Sequence, residues 1–183
     1  MKKLMIASAI AMTMTAGSAM AALGDAGSQG EVRFLATITA KTCDLVVEGS
    51  GAVNNVIQFG SHTANGPAVT KSFFMKPVDP DCFAPSAGAK AKAHFTWVSP
   101  NFDAQGIKNQ SGTATDAWVE LKAVTEGTSV ASNTNAITST NNAVTFEFDD
   151  AAKAQGFKYT AKLTPGAAVG AFDTAAAYTV VYE

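Results

Sequence analysis

Apolar and polar residues alternate with a period of two along most of this 183-residue chain, and turn-forming residues interrupt the pattern. This alternation is typical of β-strands that bury one face. The connections are rich in Gly, Ser, Thr and Asn, which favour turns, and the longest polar connection is 126–142. The pattern predicts an all-β sandwich in one domain, with extended segments over 32–43, 56–59, 69–76, 92–98, 118–124, 144–148, 157–163 and 177–182.

Evidence for helix is confined to one short segment. Asp149–Gln155 has acidic residues near its start and is followed by Gly156, a pattern that could support a single helical turn. Gly49-Ser50-Gly51 is predicted to be a turn. We therefore expect no substantial helical layer.

The first 21 residues have the pattern of a secretory signal peptide. Lys2 and Lys3 precede a mostly apolar stretch over 4–16, and Ala19-Met20-Ala21 fits the small-x-small cleavage rule. The alternative, an N-terminal membrane anchor, needs about 20 apolar residues. We expect cleavage to leave a mature chain of residues 22–183.

The charge of the mature chain argues against a nucleic-acid ligand. Without Lys2 and Lys3, 11 basic residues face 15 acidic ones, for a net charge of −4. No cluster of Lys and Arg is present to neutralise phosphates.

Two cysteines, Cys43 and Cys82, occur in a chain that is predicted to be exported. In an oxidising compartment an even pair usually forms a disulfide, which would stabilise the fold by about 2–4 kcal/mol. A metal site would want more ligands nearby, and a single reactive thiol would leave the other cysteine unexplained.

Both ends of the mature chain have the pattern of strands, and neither has features that would protect an exposed sheet edge from pairing with another strand. The C-terminal alternation of Ala176, Tyr178, Val180 and Tyr182 runs almost to the last residue. A single strand over 32–43 would measure about 40 Å, roughly twice the common length. We therefore expect the first half of this N-terminal run to serve something other than its own domain.

Several motifs together resemble the major pilins of chaperone–usher fimbriae, the type 1 and P-pilus group and the host-specific enterotoxigenic fimbriae. The segment 30–38, GEVRFLATI, leads to Cys43, and Cys82 follows in the segment PVDPDC over 77–82. Gly170 is the fourteenth residue from the end, and Tyr182 is the penultimate residue. The resemblance covers essentially the whole mature chain.

The resemblance implies an incomplete immunoglobulin-like β-sandwich that lacks its seventh strand. Residues 22–34 would form a donor-strand extension and residues 35–183 the pilin domain. A periplasmic chaperone would fill the gap during export, an outer-membrane usher would follow, and the extension of another subunit would then fill it permanently. Such strand addition uses backbone hydrogen bonds for affinity and alternate side chains for specificity.

The resemblance also implies site residues. Those of the donor strand would be Ser28, Gly30, Val32, Phe34 and Ala36, with Gly30 in a shallow pocket of the acceptor. Those that pair with the chaperone or the neighbouring subunit would be Gly170, Ala176, Tyr178, Val180 and Tyr182. The alternatives are that Gly30 is an ordinary loop glycine and that the C-terminal segment is an ordinary edge strand.

No catalytic, cofactor or metal motif stands out. His62 and His94 lack Cys or Glu partners at metal-binding spacing, and no nucleophile elbow or P-loop occurs. Asn109-Gln110-Ser111 fits a glycosylation sequon, which is common by chance. We therefore expect a protein without catalysis or cofactors.

The function that the sequence favours is a structural subunit of a fimbria, exported through the periplasm to the cell surface and supporting cell adhesion. The alternatives are a minor pilin and a shaft subunit that itself binds host glycans. Trp97, Trp118 and Tyr159 could stack on sugars, although burial in the core is the more common role of such side chains. A periplasmic hydrolase has no supporting residues.

Overall fold

A computed structural model describes residues 43–53, 55–83 and 89–183. The predicted signal peptide, the donor-strand residues 28–36 and most of the extended segment 32–43 lie outside the described residues. In the described ranges, no helix is long and apolar enough to cross a membrane.

The described residues form twelve β-strands and one 3₁₀ helix, Pro80–Phe83. The strands are β1 Leu45–Gly49, β2 Ala52–Val53, β3 Val56–Ile57, β4 Val69–Pro77, β5 Ala91–Val98, β6 Ile107–Lys108, β7 Trp118–Val124, β8 Val130–Ala131, β9 Ala136–Ile137, β10 Ala143–Phe148, β11 Phe157–Thr164 and β12 Ala177–Tyr182.

Two antiparallel sheets form the sandwich. The first has the order β1-β4-β11-β7-β6, with β9 also paired to β7, and the second has the order β12-β5-β10-β8. The strands β2 and β3 form a separate small hairpin. The architecture is that of an immunoglobulin-like β-sandwich, as the sequence predicts.

The long strands have the alternating burial that their sequences predict. In β5, Ala91, Ala93, Phe95 and Trp97 point into the core, while the residues between them are wholly or partly exposed. In β11, Phe157, Tyr159, Ala161 and Leu163 do the same from the other sheet. Full burial of a side chain as large as Phe or Leu stabilises the fold by roughly 1.5–3 kcal/mol, and burial of an alanine contributes less.

Aromatic rings fill the centre of the core. Phe95 makes edge contacts with Phe146, Phe157 and Tyr159 at centroid distances of 5.8, 5.1 and 5.8 Å. The hydroxyl of Tyr159 accepts a hydrogen bond from Trp97 Nε1 at 3.4 Å. Burial raises the pKa of Tyr159, and the hydrogen bond from Trp97 opposes that shift. Trp97 and Tyr159 are therefore core residues, whereas Trp118, at the start of β7, is partly exposed.

Three parts of the chain differ from the prediction. Asp149–Gln155 forms consecutive hydrogen-bonded turns rather than a helix, because the chain returns directly to β11 after Gly156, whose amide donates to the carbonyl of Ala152. The connection 126–142 contains β8 and β9, which pair with longer strands. Over 56–59 the strand is only Val56–Ile57, since its partner β2 has two residues.

Candidate strand-binding groove

The inner face of β12 is only partly covered. Tyr178, Val180 and Tyr182 are half-buried, although they are the core-facing residues of the strand. Their register partners on β5 are Trp97, Phe95 and Ala93, all buried, with Phe95 and Ala93 at 0% exposure. Core-facing residues that are paired between β12 and β5 thus differ in burial, which shows that the core is open along the edge of β12 that faces away from β5.

The edge strand of the opposite sheet has the same asymmetry. Val47 of β1 is half-buried, whereas its partner Met75 of β4 is fully buried. Among the described strands, β1 pairs in its sheet with β4 and β12 pairs with β5, so each leaves one side without a strand. An open strand edge of this kind is a template for another strand.

An apolar groove of about 420 Å³ connects these two edges. It is lined from both sheets, by Val47, Phe73, Met75, Trp97, Ala161 and Tyr178 among others. Because Ala176 and Tyr178 line it but Val180 and Tyr182 do not, the groove lies beside the start of β12. The arrangement can bind an extended segment that inserts alternate apolar side chains.

Partial burial at this edge raises the pKa values of the two tyrosines of β12. The Tyr178 ring lies 5.4 Å from that of Trp97 and 6.2 Å from that of Phe95, centroid to centroid. Burial raises the pKa of Tyr178, and the carboxylate of Asp44 adds to the shift. Burial also raises the pKa of Tyr182, with a smaller contribution from Tyr178. Both phenols are therefore neutral at physiological pH.

The segment 165–176, which we call the strap, leads into β12 and forms one end of the groove. Asp116 accepts hydrogen bonds from the amides of Ala167 and Ala168 at 2.7 and 3.0 Å. These two bonds are the main cause of the lowered pKa of Asp116. Asn109 Oδ1 accepts from the amide of Asp173 at 3.0 Å, so the strap is held at both of its ends.

Gly170 lies in the middle of the strap with φ +134°, a backbone conformation that residues with a side chain rarely adopt. A Cβ atom at this position would collide with the hydroxyl of Thr113, which donates to the carbonyl of Val169 at 3.0 Å. The structure thus gives this glycine a local role in closing the strap onto the body. It does not line the apolar groove.

The predicted disulfide between Cys43 and Cys82 is confirmed, with a Cα–Cα distance of 5.5 Å. Cys43 precedes β1, and Cys82 lies in the 3₁₀ helix Pro80–Phe83 after β4. Since Leu45 pairs with Pro77, the bridge fastens the start of β1 to the end of its neighbour. It therefore holds Cys43, at the start of the first described range, against the 3₁₀ helix.

The C-terminal end of β12 is paired to the start of β5. The amide of Lys92 donates to the carbonyl of Glu183 at 2.8 Å, and the amide of Glu183 donates back at 2.9 Å. His94 Nδ1 lies 2.9 Å from the hydroxyl of Thr145, and its Nε2 lies 3.2 Å from the Glu183 carboxylate. His94 thus has a structural setting on the outer face of the sheet.

The remaining candidates have structural roles. His62 is exposed and its Nε2 lies 2.9 Å from the carbonyl of Phe59. The side-chain amide of Asn109, in the sequon, donates to the carbonyls of Gly112 and Ala114 at 3.2 and 3.1 Å and is thus committed to loop structure. In residues 43–53, 55–83 and 89–183, no three His, Cys, Asp or Glu side chains are grouped to hold a metal ion.

Sequence reasoning identified β12 but missed the strap. Asp116, Asn109 and Thr113 lie more than 50 residues before their partners in the strap. The only local signal is the group of small residues PGAAVG over 165–170, which marks a loop without showing what holds it.

Comparison with known proteins shows full-length relatives. The chain is 38% identical to the F107 fimbrial protein of Escherichia coli over 188 aligned positions, which cover all of both chains. It is 26% identical to the K99 fimbrial protein of Escherichia coli, over 91% of this chain and 93% of that protein. No family model matches the chain. At this identity and coverage, the chain belongs to the family of fimbrial major subunits.

Proposed function

We propose that this structural subunit of a surface fimbria polymerises by strand donation, in which the N-terminal segment of one copy fills the groove of another. The observation that carries the proposal is the difference in burial between β12 and β5. Tyr178, Val180 and Tyr182 are half-exposed beside buried partners, so one further strand would complete the core.

The inserted strand would lie between β12 and β1. Every pairing among the described strands is antiparallel, and antiparallel pairing is slightly more stable per residue than parallel pairing. We therefore take the inserted strand to run antiparallel to β12. Its C-terminal end then lies beside Ala177, where β12 begins.

The segment with the matching pattern is the N-terminal extension 22–34 together with the first residues after it. Val32 and Phe34 would be the main anchors, each contributing about 1.5–3 kcal/mol when buried. Ser28, Gly30 and Ala36 share their alternate face and would fill the shallower positions. Arg33 and Leu35 would point away from the groove.

Export would require the groove to be covered before assembly. An open edge beside an apolar groove promotes uncontrolled association. A periplasmic chaperone that pairs with β12 through Ala176, Tyr178, Val180 and Tyr182 would prevent this, and an outer-membrane usher would receive the complex. The signal peptide 1–21 supplies entry to this route, and the product is a fimbria at the cell surface. The proposed function requires no catalytic group.

The test uses substitutions at two neighbouring positions of the full chain, whose side chains would point to opposite faces of the inserted strand. Phe34→Asp would place a charge in the apolar groove, so it should abolish fibres. Leu35→Asp changes the charge by the same amount on the outward face and should leave assembly near the wild-type level. Electron microscopy of cells and the ladder of heat-released subunits on a gel measure both outcomes.

Equal assembly of the two variants would refute strand donation by this segment. Deletion of residues 22–33 supplies a second test, because it should leave a secreted subunit that no longer extends fibres. Fibres of normal length from the deleted chain would lead to the same rejection.

A further inference from the structure

A second cavity, of about 490 Å³, adjoins the groove at the start of β12. It lies between the loop 58–64 and the strap. Phe59 and Phe172 line both cavities, so the second one continues the groove beyond the end of the strand. Its lining includes polar residues of the loop, Gln58, Ser61, His62 and Thr63, besides small and apolar residues of the strap.

The wall of this cavity is ordered before any partner arrives. Asp116 and Thr113 hold the strap at Ala167, Ala168 and Val169. The side chain of Val169 nevertheless points outward and is 76% exposed, the highest exposure among the large apolar residues described. A rigid surface with an exposed apolar side chain loses little conformational entropy when it is covered.

We infer that this surface, formed by the loop 58–64 and the strap, binds the body of the same subunit that donates the strand. The inference rests on the proposed function. An antiparallel donor strand leaves the groove at the start of β12, which is where the second cavity opens. The chain that emerges there continues into the donor's own sandwich.

The short connection between the donor strand and its own sandwich keeps the donor body close to the acceptor. Cys43 follows Ala36 by seven positions, a connection that spans at most about 25 Å when fully extended. Cys43 is fastened to Cys82, so the end of the donor body that carries residues 43–45 and 77–82 must lie within that reach. This reach brings the disulfide-bearing end of a second copy to the opening of the second cavity, and that copy is the occupant that we assign to it.

The experiment places a photoreactive benzoylphenylalanine at Val169 in the full chain and irradiates intact fibres. We expect cross-links from this position to peptides 37–45 or 77–82 of a neighbouring copy. The matched control is the same probe at Val130, an exposed valine of β8 at the opposite edge of the second sheet. Val130 should give no cross-link to those peptides.

A third probe separates the two proposals. At Tyr178 the benzoylphenylalanine lies in the groove and should attach to residues 22–36 of a neighbour. If Tyr178 links to that segment while Val169 links elsewhere or nowhere, this inference is wrong and strand donation stands. If Tyr178 does not link to residues 22–36, strand donation fails, and the inference that rests on it fails too.

Discussion

At Gly170 the backbone conformation and the packing both require glycine, so a single methyl group tests how the strap is held. We expect Gly170→Ala to destabilise the subunit, because φ is +134° and the new Cβ would meet the hydroxyl of Thr113. Strain in a region of this kind costs on the order of 1–3 kcal/mol. The free energy of unfolding in denaturant measures the effect.

Gly60→Ala is the matched control for this prediction. Gly60 also has a positive φ, +88°, but nothing lies within 4 Å of the position that a Cβ would take. It reports the cost of backbone conformation alone, and Gly170→Ala should cost more by the penalty of the collision. Equal losses of unfolding free energy in the two variants would mean that the Thr113 side chain moves away from the new methyl group at no cost.

Asp116 makes the strap sensitive to acid. Hydrogen bonds from the amides of Ala167 and Ala168 hold the pKa of Asp116 below its ordinary value of 3.8. A carboxylate with a depressed pKa contributes stability above its unfolded-state pKa, and the contribution is lost as the pH falls through the folded-state pKa. The strap should therefore loosen below about pH 4.

Amide chemical shifts of Ala167 and Ala168 measure this titration. They should move together with a midpoint below 3.8 in the wild type and should lose that transition in Asp116→Asn, whose side chain is neutral throughout. A midpoint at or above the ordinary aspartate value would contradict the role assigned to the two amides.

At the scale of the elements, the strands that the sequence predicts well are those with one fully buried face. For β7 the predicted bounds match, and for β4, β5, β10 and β11 they agree within one residue at either end. The bounds of β12 also match, although its inner face is only half-buried, because its apolar alternation is regular. The short strands β2, β6, β8 and β9 were missed because a strand of two residues is too short to show an alternation of apolar and polar residues. Their extended conformation comes from pairing with a neighbouring strand, which their own two residues do not encode.

The edge strand β1 was missed for a different reason. Its sequence LVVEG begins with three adjacent apolar residues, Leu45, Val46 and Val47, and the groove leaves its inner face partly uncovered. The groove itself could be anticipated only at β12, where apolar alternation continues to the penultimate residue. The contribution of β1 depends on pairing with β4 and on the bridge to Cys82, which spacing alone does not specify.

The disulfide should stabilise β1 more than the rest of the sheet. Replacing both Cys43 and Cys82 by alanine removes a cross-link between positions 39 residues apart, which typically costs about 2–4 kcal/mol. Because the bridge lies beside the first pair of the β1–β4 ladder, the amides of β1 should exchange with solvent faster by a larger factor than those of β7.

Hydrogen exchange on the double variant, with the wild type as reference, measures this difference. Acceleration of β1 and β7 by the same factor would show that the bridge supports the whole sandwich rather than its edge strand.

At the scale of the whole molecule, the described body has an apolar core that is closed at one edge of the sandwich and open at the other. The side of β8 is the far edge of the second sheet, and the groove lies at the β12 edge. A subunit with one groove and one inserting segment makes a head-to-tail contact. Contacts of this type produce open filaments when the rotation between copies does not close a ring.

Fibres built in this way should be kinetically stable. To leave the groove, a donor strand must break its backbone hydrogen bonds and expose Val32 and Phe34 to water in one cooperative step. The rate is then set by an unfolding barrier, and such rates rise roughly 3–6-fold per 10 °C. We expect fibres to persist in detergent at room temperature and to release subunits on heating, with a half-time independent of fibre concentration.

The time course of subunit release on a gel, at several temperatures and dilutions, measures this barrier. Fibres of a Phe34→Leu variant, whose anchor buries less apolar surface, should release subunits faster at every temperature, while those of Leu35→Ala should follow the wild type. Release on simple dilution at room temperature would show a reversible surface contact between closed subunits. The open edge beside β12 would then need an occupant from within its own chain. Without one, Tyr178 and Val180 would stay exposed to water in the assembled fibre and would lack the stabilisation that burial gives the rest of the core.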